Sequence, residues 1–177
     1  HFTALNNLGA IYQSIKDHQK AKDCYERAIE INPNYADAYN NLGLVFHGQE
    51  DYQKAKSCYE KTIEINPNYV GAHNNLGVIY KELGENQKAK SCYEKSIEID
   101  PNYQNAYLNM VALILEGEQQ IVEEMNSLGT SAKDNARYDA LKLDRENLYK
   151  ECIPILKKLI NLDKNEDAIK TLMNIYG

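Results

Sequence analysis

The sequence repeats itself at a fixed interval of 34 residues, and that interval restricts the fold more than any local propensity does. Three blocks follow one another without a gap: Phe2 to Tyr35, Ala36 to Tyr69, and Val70 to Tyr103. Counted from the first residue of each block, Leu-Gly fills places seven and eight (Leu8-Gly9, Leu42-Gly43, Leu76-Gly77). An aromatic fills place eleven (Tyr12, Phe46, Tyr80). Ala stands at place twenty (Ala21, Ala55, Ala89), Tyr at twenty-four (Tyr25, Tyr59, Tyr93) and Pro at thirty-two (Pro33, Pro67, Pro101). A unit this short cannot bury an apolar face alone, so successive units must stack and share a core.

Each block reads as two amphipathic helices, A and B. Helix A spans about fourteen residues from the start of the block. Asp17, Asp51 and Glu85 then stand where helix B needs an N-cap or a first-turn negative charge. Proline stops helix B, and Asn34, Asn68 and Asn102 are placed to cap the next helix A. The small residues at places eight and twenty let the paired helices approach closely, although an interior glycine costs about 1 kcal/mol of helix propensity.

These residues, from Leu-Gly through the aromatics to Pro, resemble the tetratricopeptide repeat at nearly every signature place. Leu5, Tyr39, His73 and Tyr107 stand where that family often has Trp, and Thr62 and Ser96 replace a small Ala. The resemblance implies an all-α, right-handed superhelical solenoid of antiparallel helix pairs. The A helices would line a concave groove and the B helices would form the convex back.

A fourth unit begins on schedule at Gln104, but Val111 replaces the glycine and no helix B follows at the usual distance. Its signature returns in Cys152 to Asn165, with Cys152 at the Ala place, Leu156 at the Tyr place and Leu159 at the second small place. Tyr12 and Tyr25 lie 13 apart whereas Ile114 and Leu156 lie 42 apart, an insertion of 29 residues. Shared between two helices, this adds about four turns to each. Helix A continues through Met110, Leu113, Gly117, Ile121, Met125 and Leu128. The chain turns within Ser127 to Asn135, and helix B returns through Tyr138, Leu141, Leu148, Cys152, Ile155 and Leu159, with Pro154 as a potential bend. The expectation is an elongated helical hairpin that projects beyond the solenoid, followed by a capping helix at 166–176. Residues 1–177 then form a single domain of repeats 2–35, 36–69 and 70–103, an extended fourth repeat 104–165, and that cap.

Composition narrows the function. The net charge is −6, and the 20 Lys and Arg are interspersed among 26 acidic residues, which disfavours nucleic acid and anionic membranes as partners. No apolar run approaches the roughly 20 residues that span a bilayer, and a soluble, cytoplasmic protein is expected. The chain begins at His1 rather than Met, which suggests a fragment or processed form. Cys24, Cys58 and Cys92 recur at one place, but equivalent residues of stacked helices lie about 8–10 Å apart, too far to share a metal or a disulfide. They read as small apolar residues in a reducing setting. His1, His18, His47 and His73 belong to no metal spacing or nucleophile pair, so no catalytic residue, metal or cofactor is expected.

One recurrent polar feature remains. Asn7, Asn41, Asn75 and Asn109 are spaced 34 apart at place six, on the helix face that the family resemblance puts in the groove. Asn6, Asn40 and Asn74 precede three of them, and Ala10, Leu44 and Val78 make the neighbouring groove place apolar. An Asn side chain offers two donors and an acceptor, so a row of amides can hold a peptide backbone without reading its side chains. The same residues could instead bond within the stack. At this ladder the chain is similar to the repeat domain of O-linked N-acetylglucosamine transferases, and the resemblance implies contact with the backbone of an extended polypeptide. Family members that grip a terminal carboxylate carry Lys and Arg at places two, five and six. Here those places hold Asn6 and Asn7, then Asp37, Asn40 and Asn41, then Gly71, Asn74 and Asn75, which form no basic clamp. The expected function is a non-catalytic scaffold that binds an extended polypeptide in the groove. Two alternatives stay open: a substrate-recruiting segment of a larger glycosyltransferase, and an assembly module that homo-oligomerises through the hairpin.

Overall fold

Asn32, Asn66 and Asp100 each precede a proline, and the proline ring holds them extended, at φ of −134°, −132° and −131°. Helix B therefore ends at the same point in every block. In the computed structural model, which describes residues 1–163 and 165–176 apart from the side chains of Asp163 and Tyr176, the described residues form nine helices. Lys164, within the Cys152–Asn165 stretch, lies outside the described residues. The first three helix pairs are α1 (Phe2–Ser14) with α2 (His18–Ile31), α3 (Ala36–Gly48) with α4 (Tyr52–Ile65), and α5 (Val70–Glu82) with α6 (Asn86–Ile99). They belong to one compact unit, His1–Pro101. A second unit, Asn102–Gly177, holds α7 (Gln104–Ser127), α8 (Ala132–Asp163) and α9 (Glu166–Tyr176).

The caps follow side-chain length. Asp17 and Asp51 accept from the backbone N–H of Lys20 and Lys54, each at 3.2 Å, and so cap α2 and α4. Glu85, one methylene longer, makes no such bond at the start of α6 and pairs with the Lys88 ammonium instead. Hydrogen bonds from Lys20, Lys54 and Lys88 hold all three carboxyls below their ordinary pKa. The structure corrects one expectation. Asn34 and Asn68 do not cap the next helix A, whose N-cap residues are Tyr35 and Tyr69, with no side-chain capping bond. Instead the extended Asn32 and Asn66 accept from the N–H of Asn34 and Asn68, at 3.2 and 3.1 Å, and brace the proline turn. The turn between A and B needs a left-handed residue, supplied by Lys16 (φ 62°), Glu50 (φ 59°) and Gly84 (φ 75°). Only the glycine adopts it without strain.

Tyr25, Tyr59 and Tyr93 are fully buried, and each ring lies against the glycine of its own helix A. A Cβ at Gly9, Gly43 or Gly77 would sit 2.6, 2.6 or 2.5 Å from the ring Cε1. The two helices of a pair are thus as close as the backbone allows. Between pairs, α2 packs on α3 and α4 on α5, burying Leu42, Val45 and Phe46, then Leu76 and Ile79. The buried hydroxyls at the second small place are satisfied: Thr62 donates to the Cys58 carbonyl at 2.9 Å, and Ser96 to the Val70 carbonyl at 3.2 Å. The Tyr25 hydroxyl donates to Gln13 at 2.8 Å, whereas the Tyr59 and Tyr93 hydroxyls have no hydrogen-bond partner among the described residues. His47 and Lys81 occupy the place of Gln13 in their blocks.

The second unit contains the elongated hairpin expected from the insertion. Its turn closes with a reciprocal cap, in which the Asp134 N–H donates to the Ser131 hydroxyl at 3.1 Å and the Ser131 N–H donates to the Asp134 carboxylate at 3.2 Å. Farther along, Arg137 grips Glu124 through two bonds, at 2.7 and 3.0 Å, while Arg145 and Tyr149 both donate to Glu118, at 2.6 and 2.9 Å. Leu141, Cys152, Leu156 and Leu159 are buried. Tyr138, expected on the apolar seam, is exposed. Helix α8 continues through Pro154, which faces outward. Asn165 caps α9 by accepting from the Ala168 N–H at 2.8 Å.

Two glycines give opposite expectations. Gly43→Ala drives a methyl into Tyr59 and should lower unfolding free energy by about 1–3 kcal/mol. A Cβ at Gly117 meets only Leu148 Cδ1, at 3.7 Å, so Gly117→Ala should raise it by up to about 1 kcal/mol through helix propensity. Denaturant titration of both variants reads the difference.

Candidate functional site: the asparagine face of α1, α3 and α5

The paired asparagines fall on one line of each A helix, and the spacing of the helix pairs brings consecutive lines within hydrogen-bond reach. Asn6, Asn40 and Asn74 at place five are buried, Asn41 and Asn75 at place six are half-buried, and Asn7 is exposed. Asn74 Nδ2 donates to Asn75 Oδ1 at 3.4 Å, and Asn75 Nδ2 to Asn40 Oδ1 at 3.3 Å. Asn40 Nδ2 donates to Asn41 Oδ1 at 3.5 Å, and Asn41 Nδ2 to Asn6 Oδ1 at 3.0 Å. The five amides thus form a continuous relay from α5 to α1, with every donor pointing the same way.

The relay explains the helix-unfriendly doublet. The bonds between helices join residues 35 apart, one more than the repeat, so both members of each pair are required. Asn41 and Asn75 each accept one bond and give one, which leaves each of these half-buried amides a second N–H and a second lone pair. Leu44 and Val78 are half-buried beside them and Ala10 is exposed. In the second unit, considered by itself, the doublet becomes Leu108–Asn109, with Leu108 exposed and Asn109 half-buried. A leucine at place five has no amide with which to continue such a relay.

A second ladder was overlooked in the sequence although its signal was present, since Lys recurs at places nineteen and twenty-one. Phe46 lies between the ammonium groups of Lys22 and Lys54, at 5.6 and 5.4 Å from its ring centre, and Tyr80 between Lys56 and Lys88, at 5.2 and 5.3 Å. Each aromatic is held by one lysine of its own unit and one of the preceding unit.

Cys24 and Cys152 are buried, Cys58 and Cys92 half-buried, and all four are free thiols. Desolvation pushes Cys58, Cys92 and Cys152 from 9.0 up to about 11. His73 is buried and its Nε2 donates to the Pro67 carbonyl at 2.9 Å. Among the described residues no group of three or more His, Cys, Asp and Glu could hold a metal ion, and no helix is long and apolar enough to cross a membrane.

Two measurements check this geometry. Asn40→Ala strands the Asn75 donor and should cost about 1–3 kcal/mol of unfolding free energy, whereas Asn7→Ala should stay within about 0.5 kcal/mol. Because burial raises the thiol pKa, its contribution is fully present below the unfolded value and is lost as pH rises through the folded value. Stability should therefore decline between about pH 9 and pH 11, as read by denaturation at stepped pH.

No curated protein sequence matches the chain. Among solved structures, "Crystal structure of MamA" is similar over 85% of this chain and 81% of that chain, at 24% identity and a TM-score of 0.62. The first TPR of Spaghetti, bound to an HSP90 peptide SRMEEVD, matches 63% of this chain and 89% of its own at 21% identity, with a TM-score of 0.61. A Thermobaculum terrenum O-GlcNAc transferase mutant matches 64% of this chain but 22% of its own, at 20% identity and a TM-score of 0.62. At these identities the likeness concerns the fold. Tetratricopeptide repeat family profiles match residues 1–68 and 70–103, and the chain, whose described residues form helices and no strand, belongs to the tetratricopeptide repeat family.

Proposed function

We propose that this protein is a non-catalytic interaction module that binds the backbone of an extended polypeptide along the face formed by α1, α3 and α5. The observation that carries the reading is the state of Asn41 and Asn75. Each is fixed by the relay yet keeps one donor and one acceptor, the pair that a peptide unit requires. Stacked helices about 8–10 Å apart would present an amide to roughly every third residue of a strand that rises about 3.3 Å per residue. Amides already held in place lose little entropy on binding, and Ala10, Leu44 and Val78 supply apolar contact beside them. Asn109 extends the series in sequence, with a leucine in place of its partner.

Spaghetti's first TPR holds a peptide ending in EEVD, but this face has no Lys or Arg at the places that would clamp a carboxylate. An acidic chain with amides on its face suits a neutral or basic ligand. The glycosyltransferase-segment alternative draws on the same asparagines and adds no catalytic group from this chain. Tyr138 and Leu143, exposed on α8, favour the hairpin as a second contact surface for assembly.

Selection from a displayed library of random linear peptides, followed by fluorescence anisotropy, supplies the test. Combined Asn41→Ala and Asn75→Ala replacement should weaken a selected peptide by about tenfold or more, and backbone N-methylation of the peptide should do the same. Unchanged affinity in a variant shown to be folded would remove the face from the binding site.

A further inference from the structure

The contact that closes each helix pair of the first unit is missing from the second. Tyr25, Tyr59 and Tyr93 fill the space over Gly9, Gly43 and Gly77. The same two places in the second unit hold Val111 and Leu156, and both line a cavity of about 190 Å³ instead. A leucine lacks the reach of a tyrosine ring, and the valine stands where the ring would rest. Val111, Leu156, Leu159 and Ala168 are buried in the cavity wall, while Leu108 and Ala112 are exposed at its opening. Interiors rarely keep voids of this size, and an apolar cavity of about 150 Å³ already admits a benzene molecule.

A second cavity, of about 300 Å³, adjoins the first, and Leu115 and Thr171 line both. Glu118, Arg145, Tyr149 and Asn174 make much of its wall polar. One oxygen of Glu118 accepts from Arg145 Nε at 2.6 Å and from the Tyr149 hydroxyl at 2.9 Å, and the guanidinium lies 5.2 Å from the Tyr149 ring centre. The guanidinium is thus fixed through Nε, which leaves the N–H groups of its two terminal nitrogens for an anion.

We infer that the second unit binds a small amphiphilic carboxylate between α7, α8 and α9, with its hydrocarbon body in the apolar cavity and its anionic head on Arg145. An apolar cavity with a few convergent polar groups is the ordinary form of a small-molecule site. A peptide main chain entering the apolar part would need partners for its N–H and C=O groups, and the walls there are aliphatic side chains on helices bonded within themselves. Asn165, the amide beside that cavity, is engaged by the Ala168 N–H at 2.8 Å. Hydrocarbon needs no such partners. Charge sets the orientation, since Asp167 lines the apolar cavity and Arg145 the polar one. From Leu108 to Glu118, α7 rises about 15 Å, the reach of an extended chain of about ten carbons. The site lies wholly within the second unit and is independent of the asparagine face.

Titration calorimetry and NMR of residues 1–177 with decanoate and decanol supply the test. Decanoate should bind with a Kd of about 100 µM or tighter and shift the resonances of Leu108, Ala112, Leu115 and Thr171, with decanol about tenfold weaker. Ala112→Phe, a change at an exposed position that fills the opening, should weaken both ligands by about tenfold or more. Arg145→Met should weaken decanoate by about tenfold and leave decanol within about twofold. The inference is overturned if decanoate shows no saturable binding up to about 1 mM, or if Ala112→Phe in folded protein leaves its affinity unchanged. Equal losses of decanoate and decanol in Arg145→Met also overturn it. So does a response of the same resonances to a linear peptide and not to decanoate, which would assign the cavity to a protein partner.

Discussion

A tyrosine ring resting on a glycine backbone sets the distance between the two helices of each pair in residues 1–101. Tyr25 on Gly9, Tyr59 on Gly43 and Tyr93 on Gly77 are one contact made three times, with nothing between ring and main chain. Because that distance is constant, the next pair always meets the same surface. Val45 and Ile79 enter equivalent sites, and the A helices follow one another at a steady offset. The asparagine relay depends on this regularity. Its bonds of 3.0 and 3.3 Å between helices survive only small changes of spacing.

The amides return something to the fold that depends on them. Three buried asparagines would each be costly if left unpaired, but the relay turns them into a register device that is satisfied only when pairs stack correctly. It also holds Asn41 and Asn75 still. A side chain anchored at one end and open at the other combines support with recognition, and the reading of this face as a backbone-binding surface rests on that combination. The lysine and aromatic ladder knits neighbouring units in a similar way.

Much of this was legible from spacing. The 34-residue period gave the helix pairs, the proline stop and the close approach of paired helices at the glycine, and the displaced signature at Cys152 gave the long hairpin. What escaped depends on offsets between helices. The sequence shows asparagines 34 apart and suggests two separate ladders, whereas the structure joins residues 35 apart into one. The proline turn was misread because Asn34 and Asn68 look like caps on a line of text, while the extended residue before each proline is the one whose side chain can reach. Lys16 and Glu50 carry no sign of their left-handed backbone, and only Gly84 at the same place hints at it.

Side-chain amide NMR gives the most direct access to the relay on which both stability and recognition depend. In the free protein, one Nδ2 proton of Asn41 and of Asn75 should be shifted downfield and exchange slowly with water, while its geminal partner exchanges quickly. Asn7, which lacks an acceptor among the described residues, should show two fast protons. Two equivalent, rapidly exchanging protons on Asn41 and Asn75 would contradict the relay and, with it, the claim that these amides are held ready for a peptide.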